Sequence, residues 1–143
     1  MLVACSPQAP AQNAPVDKRA QTGLQQIPLT IRSGTTLHHF RVEVAASPDQ
    51  QERGLMFRRS LDPDHGMIFP YHPPQEVAFW MKNTWSPLDI VFIRSDGTIV
   101  RITHAQPMDL TPLPSGEPVS AVLEIAGGRA AELGIKEGDI ARW

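Results

Sequence analysis

The sequence has 143 residues, of which 41% are hydrophobic, and a formal net charge of −2 at pH 7. This length fits one compact domain with a single hydrophobic core, and the near-neutral charge without a basic run argues against nucleic-acid binding. No stretch of about 18 consecutive apolar residues is present, so the sequence predicts no transmembrane helix.

Cys5 is the single cysteine of the sequence, so an intramolecular disulfide is excluded. The residues before it, Leu2-Val3-Ala4, resemble the end of a bacterial lipoprotein signal, in which small residues precede a cysteine that receives the lipid. A complete signal has a charged start and about 7 to 15 apolar residues, so this one would be truncated. The alternative is a chance cysteine near a disordered start. The first interpretation predicts a lipid anchor at Cys5 and a location in the cell envelope.

The prolines divide the sequence into a linker-like start and a folded remainder. There are 14 of them, and they are concentrated in residues 7–28 and 107–118. Residues 1–26, which are rich in Pro, Ala and Gln, are predicted to be the lipoprotein-like start followed by a disordered tether. Residues 27–143 are predicted to form a single β-rich domain.

Alternation of apolar and polar residues predicts strands over residues 27–33 and 37–45. A short helix follows, because Ser47 and Gln50 have the spacing of a capping box. Gly54 is predicted to end this helix in the left-handed conformation.

The second half of the chain continues with short elements. A second small helix is predicted at residues 129–133, and residues 105–118, which hold four prolines, are predicted to be a long loop without a regular element. Further strands are predicted at residues 67–69, 76–82, 88–93, 98–104, 120–125 and 140–143. Seven or eight short strands with two short helices indicate an all-β, mainly antiparallel fold, either a β-sandwich or a partly closed barrel.

The stretch from residue 79 to residue 93 places several polar and aromatic side chains between two apolar runs. If residues 83–87 formed a plain hairpin loop, Lys82 and Asp89 would point to different faces. A pair between these two charges therefore needs a bulge or a different strand partner.

Three functions are compatible with this stretch. The first is a binding module, in which aromatic rings stack on a polar ligand while amide and charged groups orient it. An open cleft lined by Trp80, Lys82 and Asn83 would favour the binding module. The candidate ligand-binding residues are Arg53, Arg58, Trp80, Lys82, Asn83, Thr84, Trp85, Asp89 and Glu124. Asn83 and Thr84 are also expected to bond to the backbone of the turn.

The second function is a hydrolase with Asp89 and Glu124 as acid and base. The sequence has no nucleophile elbow and no Ser-His-Asp order, and Cys5 lies in the predicted tether, so nucleophilic catalysis is not indicated. The third is a structural network in which Lys82 and an arginine neutralise the same two carboxylates. Leaving one charge of such a network unpaired would cost about 3 to 5 kcal/mol.

A metal site is not predicted. Asp64, His65 and His72 lie near one another in the sequence, but their spacing matches neither a zinc nor a calcium pattern. No other cofactor is indicated either.

Six segments of the sequence form a recognisable set of motifs: Glu-Arg-Gly-Leu-Met-Phe-Arg (52–58), Gly-Met-Ile-Phe (66–69), Phe-Trp-Met-Lys-Asn-Thr (79–84), Pro-Leu-Asp-Ile-Val-Phe-Ile (87–93), Val-Leu-Glu-Ile (122–125) and Gly-Ile-Lys-Glu-Gly-Asp (134–139). Together they resemble the bacterial and archaeal family called domain of unknown function 192. The resemblance covers about residues 29–143, and the Trp-Met-Lys-Asn-Thr block is specific to the family. It implies a mostly β fold and frequent export, but no activity, substrate or cofactor. Trp85 departs from the family pattern, in which a smaller aliphatic residue is common.

The sequence therefore favours a lipid-tethered, envelope-facing β domain over an enzyme. Its expected partner is a small polar ligand or an envelope protein, bound at the elbow from Trp80 to Asp89. Contact with a membrane is expected only through the N-terminal anchor.

Overall fold

The structure is a computed structural model that describes residues 16–143. Its elements in chain order are β1 (Gln26–Ser33), β2 (Thr36–Val44), α1 (Pro48–Arg53), β3 (His65–Gln75), β4 (Ala78–Phe79), β5 (Leu88–Ile93), β6 (Ile99–Ala105), β7 (Leu113–Pro114), β8 (Val119–Ala126), α2 (Arg129–Leu133) and β9 (Ile140–Arg142). Cys5 lies outside the described residues, and so does the anchor predicted there. Neither helix of the described part has the length and apolar character needed to cross a membrane.

Seven strands form one mixed sheet in the order β6-β5-β8-β3-β2-β1-β9, and β4 pairs with β7 in a separate small sheet. Neighbouring strands are antiparallel except β2 and β3, which are parallel and are connected through α1. A parallel pair needs a crossover of this kind, since a tight hairpin can join only antiparallel strands. The predicted mostly β, mainly antiparallel fold is confirmed.

The two edges of the main sheet approach each other. An isolated bridge joins Ile140 at the start of β9 to Thr98, which immediately precedes β6. The amide of Ile99 also donates a hydrogen bond to the carbonyl of Asp139 at 2.9 Å. The main sheet is therefore strongly curved, although no continuous ladder closes it into a barrel.

Each face of the main sheet carries its own hydrophobic cluster, because successive strand residues point to opposite faces. The first cluster, here called the inner cluster, includes Phe40, Val42, Ile68, Val91, Leu123 and Ile125. The second, the outer cluster, includes Met67, Phe69, Ile90, Phe92 and Val122. Both faces of the central strands β5 and β8 are thus covered, which explains why these strands are almost continuously apolar.

The predicted start of α1 is confirmed. The Ser47 side chain accepts a hydrogen bond from the Gln50 amide at 3.2 Å, and the Gln50 side chain accepts one from the Ser47 amide at 3.1 Å. Gly54 ends the helix at φ 46° and ψ −129°. The φ is positive as predicted, but the ψ is outside the left-handed helical region, so that detail of the prediction is wrong.

The region between β3 and β8 differs from the prediction. The strand expected over residues 76–82 is reduced to the two residues of β4, whose partner β7 lies within residues 105–118, where no regular element was expected. The sequence signal for β7 is weak because Pro114 has no amide hydrogen and prolines surround it. Residues 79 and 88 are consequently not joined by a simple hairpin.

The folded part of the chain begins before the predicted boundary at residue 27. Residues 16–25 lie against the domain, where the Gln21 side chain donates a hydrogen bond to the Gly54 carbonyl at 2.8 Å. The guanidinium of Arg19 lies 4.4 Å from the centroid of the Phe57 ring. Composition alone misses this contact, because it depends on residues that are distant in sequence.

Arg58 clamps this segment to the sheet. Its guanidinium forms a bidentate ion pair with the carboxylate of Glu43 in β2, in which Nη2 lies 3.0 Å from Oε1. The same guanidinium also donates a hydrogen bond to the Gln21 carbonyl at 2.9 Å. The Arg58 and Glu43 side chains are only 20% and 15% exposed. Paired hydrogen bonds of this type are among the stronger ones in proteins.

Replacement of Arg58 tests this clamp. We expect Arg58→Met to lower the free energy of unfolding by about 1 to 3 kcal/mol, because Glu43 and the Gln21 carbonyl lose their donor. Urea unfolding measures the change. The matched control is Arg59→Met, an exposed neighbour, for which a change within about 0.5 kcal/mol is expected. Equal stability of the two variants would show that the clamp contributes nothing.

Candidate functional site

A cleft of about 170 Å³ opens on the outer face of the main sheet, beside the end of α1. It is called here the Glu124 cleft, and its lining includes Phe69, Tyr71, Phe79, Trp80, Thr84 and Glu124. A more open depression of about 530 Å³, the side groove, is lined in part by Lys82 and Asn83. The two adjoin, because Glu52, Arg53 and Met56 line both.

Glu124 forms the buried floor of the cleft. In β8 it is paired with Met67 of β3 and Ile90 of β5, neither of which carries a charge. Only 5% of the residue is exposed, and no hydrogen bond or ion pair from residues 16–143 reaches its carboxyl group. Burial raises the pKa of Glu124 to about 8. The carboxyl group is therefore mostly protonated at neutral pH, since burial disfavours the charged form.

The walls of the cleft are aromatic. Phe69 and Tyr71 follow Met67 along β3 with a period of two, so they share the face of the sheet on which Glu124 lies. Phe79 packs edge to face against Phe69 with ring centroids 5.0 Å apart. Burial, with a smaller effect of the nearby Glu124, raises the pKa of Tyr71 to about 12. The Tyr71 hydroxyl is thus neutral and can act as a hydrogen-bond donor.

The mouth of the cleft carries a tryptophan and a lysine in contact. Trp80 follows β4 directly and is 47% exposed. The Lys82 ammonium lies 5.2 Å from the centroid of the Trp80 ring, within the range of a cation–π interaction. One face of the Trp80 ring is therefore in contact with the positive charge of Lys82.

The loop that carries Lys82 is held by backbone hydrogen bonds on both sides. Asn83 and Phe57 both have positive φ angles, 53° and 65°, and the Phe57 amide donates to the Asn83 carbonyl at 2.8 Å. On the other side, the Thr84 carbonyl accepts a hydrogen bond from the Met108 amide at 3.0 Å. Positive φ is unusual for a bulky residue such as Phe and persists only where the surroundings hold it. The loop is therefore a fixed element of the site.

The prediction that Thr84 bonds to turn backbone is confirmed, because its hydroxyl donates to the Lys82 carbonyl at 3.1 Å. The Asn83 side chain differs from that prediction. Its amide group makes no hydrogen bond with any residue in the described range 16–143 and lines the side groove.

Asp89 and Glu124 lie on opposite faces of the main sheet. Asp89 of β5 is paired with Ile125 of β8. Because successive strand residues alternate between faces, the adjacent Glu124 points away from Asp89. The two carboxyl groups cannot act on the same bond, so the hydrolase hypothesis is wrong for this pair.

Asp89 instead caps helix α2. Its carboxylate accepts hydrogen bonds from the backbone amides of Gly128 at 3.1 Å and Ala130 at 2.9 Å. His104 of β6 contacts the same carboxylate through Nδ1 at 2.9 Å. These contacts satisfy amides at the start of the helix that would otherwise lack partners.

The predicted structural network does not form either. Lys82 is exposed, Glu124 lacks a charged partner within residues 16–143, and Asp89 is engaged on the other face. These three residues therefore do not neutralise one another.

Two more candidate residues are placed away from the cleft. Arg58 is held by Glu43, as described above, and Trp85 packs edge to face against Phe57 with ring centroids 5.9 Å apart. The structure gathers the remaining candidates around the cleft and the side groove: Arg53, Trp80, Lys82, Asn83, Thr84 and Glu124.

The aromatic walls were missed by the sequence prediction. The strand predicted from the sequence ends at Phe69, before Pro70, and so does not include Tyr71. The period-two pattern of Met67, Phe69 and Tyr71 continues through the proline, and this continuation is the signal that would have identified Tyr71. As to metals, no set of three or more His, Cys, Asp or Glu side chains in residues 16–143 is arranged to hold an ion.

A family model supplies the relationship of this chain to other proteins. The model for domain of unknown function 192, described as "Uncharacterized ACR", matches residues 29–143. The chain belongs to this family. The resemblance inferred from the sequence motifs is thereby confirmed. None of the curated proteins matches the chain.

Two solved structures are similar to this member of family 192. A protein of unknown function from Novosphingobium aromaticivorans has 48% sequence identity and a TM-score of 0.83, with 85% of this chain and 88% of that chain covered. A protein from Sinorhizobium meliloti, whose description proposes a transcription regulator, has 40% identity and a TM-score of 0.82, with 85% and 96% covered. These similarities extend over most of the folded domain.

The raised pKa of Glu124 predicts a pH-dependent stability. Between about pH 4.5 and pH 8 the unfolded chain releases the proton of Glu124 while the folded protein keeps it, so the free energy of unfolding falls as pH rises. Glu124→Gln resembles the protonated form and removes this contribution. We expect the variant to be more stable at about pH 8 by a few kcal/mol, at about 1.4 kcal/mol per pKa unit, and nearly unchanged at about pH 4.5.

Urea unfolding of both proteins across this pH range measures the effect. The other charged or titratable groups that line the cleft are Tyr71, Glu52 and Arg53, and they are the same in both proteins. If the two proteins had the same dependence on pH, the assignment of the slope to Glu124 would be refuted.

Proposed function

We propose that the protein binds a small polar ligand in the Glu124 cleft and does not transform it. The observation that carries this proposal is the buried, unpaired carboxyl group of Glu124 at the floor of an open cleft. Its oxygens are not fully enclosed and are open to the cleft, but burial of the residue still disfavours the charged form. A ligand that hydrogen-bonds to this carboxyl group would supply a partner that residues 16–143 do not provide, whereas the fold alone gains nothing from the burial.

The surroundings of Glu124 support ligand binding. Binding sites are typically apolar and aromatic with a few polar groups that set orientation, and the cleft combines aromatic walls with Asn83 and Lys82 at its edge. Because the loop bearing these residues is fixed by backbone hydrogen bonds, little ordering is required when a ligand binds. The placement of Asp89 and Glu124 on opposite faces favours binding over hydrolysis.

A role in transcription regulation through DNA binding has less support in this chain, although the description of the S. meliloti relative proposes a transcription regulator. The two helices of the described residues have 6 and 5 residues, and the formal net charge of the sequence is −2. A recognition helix in the major groove and a basic surface are the usual means of binding DNA. The cleft is therefore the stronger basis for a function.

Replacement of Trp80 tests the proposed function. First, we expect a screen of sugars, amino acids, amines and short peptides to contain compounds that raise the melting temperature of the protein, because a ligand stabilises the folded state that binds it. Second, Trp80→Ala should weaken the binding of such a compound about tenfold or more, since the Trp80 ring covers the mouth of the cleft.

The matched control is Trp143→Ala. Trp143 is 48% exposed, close to the 47% of Trp80, but does not line the cleft. Binding should be retained in this variant, as measured by calorimetry. Equal affinity of both variants would place the ligand elsewhere, and failure of every compound to bind would refute the proposal.

We also propose that the protein is exported and anchored to a membrane of the cell envelope through Cys5. The sequence Leu2-Val3-Ala4-Cys5 supports this, as does the frequent export implied by the family resemblance. With residues 16–25 packed on the domain, residues 6–15 would connect the anchor to the fold.

Metabolic labelling tests the anchor. We expect the protein, produced in its native cells from its natural gene, to incorporate radioactive palmitate and to fractionate with membranes, since two acyl chains hold a protein stably in a bilayer. Cys5→Ser should abolish both properties. Fractionation of the unaltered protein with the cytosol, without label, would contradict the proposal.

A further inference from the structure

We infer that the ligand of the Glu124 cleft is an organic ammonium compound, whose cation lies against Glu124 among aromatic rings and whose anionic or polar end reaches Arg53 and Lys82. This inference rests on the proposed function and specifies the chemical class of the ligand. It depends on the combination of one buried carboxyl group with four aromatic side chains in the same small cleft.

The aromatic wall consists of Phe69, Tyr71, Phe79 and Trp80. The faces of aromatic rings carry negative potential and attract cations, and sites that recognise alkylated ammonium groups are commonly built from several such rings. The Lys82 ammonium lies over the Trp80 ring at 5.2 Å, so a ligand cation would be placed against Phe69, Tyr71 and Phe79 rather than on that face of Trp80. These rings favour a positive ligand group over a negative one.

Glu124, at the floor of the cleft, also favours a positively charged ligand group. Glu124 is buried and unpaired, and in its ionised form it would attract a cation strongly, because the surrounding medium screens charge poorly. A ligand ammonium group would supply the partner that residues 16–143 do not provide. In its ionised form Glu124 would repel an anionic group from this floor.

The size of the cleft and its edge limit the ligand further. A volume of about 170 Å³ admits a small ligand group, below the range of about 300 to 1,000 Å³ typical of sites for drug-sized molecules. Arg53 and Lys82 at the edge would pair with a phosphate or carboxylate. A zwitterionic compound satisfies both regions of the site.

Other ligand classes fit less well. A metal ion requires several oxygen or nitrogen ligands, and residues 16–143 contain no suitable group of three or more such side chains. A neutral sugar would need a hydrogen-bond partner for each buried hydroxyl. Two polar side chains of the lining are already engaged, because the Thr84 hydroxyl donates to the Lys82 carbonyl and the Gln51 amide nitrogen donates to the Ala45 and Pro70 carbonyls. The organic ammonium class uses both Glu124 and the aromatic wall.

Binding of a cation to Glu124 requires the carboxyl group to be ionised, so it must release its proton. The affinity for a quaternary ammonium compound is therefore expected to rise with pH up to the pKa of Glu124, about 8, with an increase of about tenfold between pH 6 and pH 7. The other charged or titratable groups facing the cleft are Tyr71 from β3, Glu52 and Arg53 from α1, and Lys82 at the edge. Tyr71, with a pKa of about 12, stays neutral in this range.

Calorimetry with pairs of probes tests the inference. The probes are choline with its neutral carbon isostere dimethylbutanol, and ethanolamine with its isostere propanol. We expect at least one cation to bind, its isostere to bind at least about tenfold more weakly, and the cation affinity to rise with pH. Glu124→Gln should lose this selectivity and its pH dependence. Glu137→Gln, at an exposed glutamate between α2 and β9 that does not line the cleft, should retain the affinity within about threefold.

A second set of probes tests the edge of the site. At about pH 8, phosphocholine or phosphoethanolamine should bind more tightly than the parent amine, and Lys82→Met should remove most of this advantage. Co-sedimentation with phosphatidylcholine or phosphatidylethanolamine vesicles then distinguishes a lipid headgroup from a free compound, and either source agrees with the inference.

The inference and the proposed function can fail separately. If sugars or peptides bind in a manner that depends on Trp80 while both ammonium probes do not, the inference is wrong and the proposed function stands. If the neutral isosteres bind as well as the cations, the inference is also wrong. If no compound of any class binds, both are wrong.

Discussion

The structure depends on a strict alternation of side chains across one curved sheet. Because both faces of β5 and β8 are covered, each residue of these strands is assigned to one of two separate hydrophobic clusters. Glu124 and Asp89 are therefore directed to opposite faces, although they lie on neighbouring strands. The Asp89 carboxylate accepts hydrogen bonds from two amides at the start of α2 and contacts His104. The Glu124 carboxyl group has no hydrogen-bond partner within residues 16–143. This contrast separates a structural acid from a candidate functional one.

Much of the fold follows from local sequence patterns. The capping box at Ser47, the apolar run of β5 and the glycine after α2 each specify an element through interactions between near neighbours. Long-range pairings are different, because no local feature reveals that β4 will meet β7 or that β2 and β3 will run parallel. The class and most elements are consequently predictable from sequence, while the topology is not.

The candidate site was predictable only in part for the same reason. Trp80, Lys82 and Asn83 were recognised because a short polar segment between two apolar runs is conspicuous. Trp85 and Arg58 have similar side chains, but their partners Phe57 and Glu43 are brought to them by the fold. No sequence pattern distinguishes a tryptophan that faces a cleft from one that packs on a distant phenylalanine. The decisive difference is spatial.

The docking of residues 16–25 has a mechanical consequence. Gln21 is hydrogen-bonded to the Gly54 carbonyl at the end of α1, and Arg53 of that helix donates to the Arg19 carbonyl at 3.2 Å. The path from the N-terminus into the domain thus runs through the helix end that borders the cleft. A pulling force applied to the N-terminal segment would therefore act on Arg53 at the border of the cleft as well as on the Arg58 clamp to the sheet.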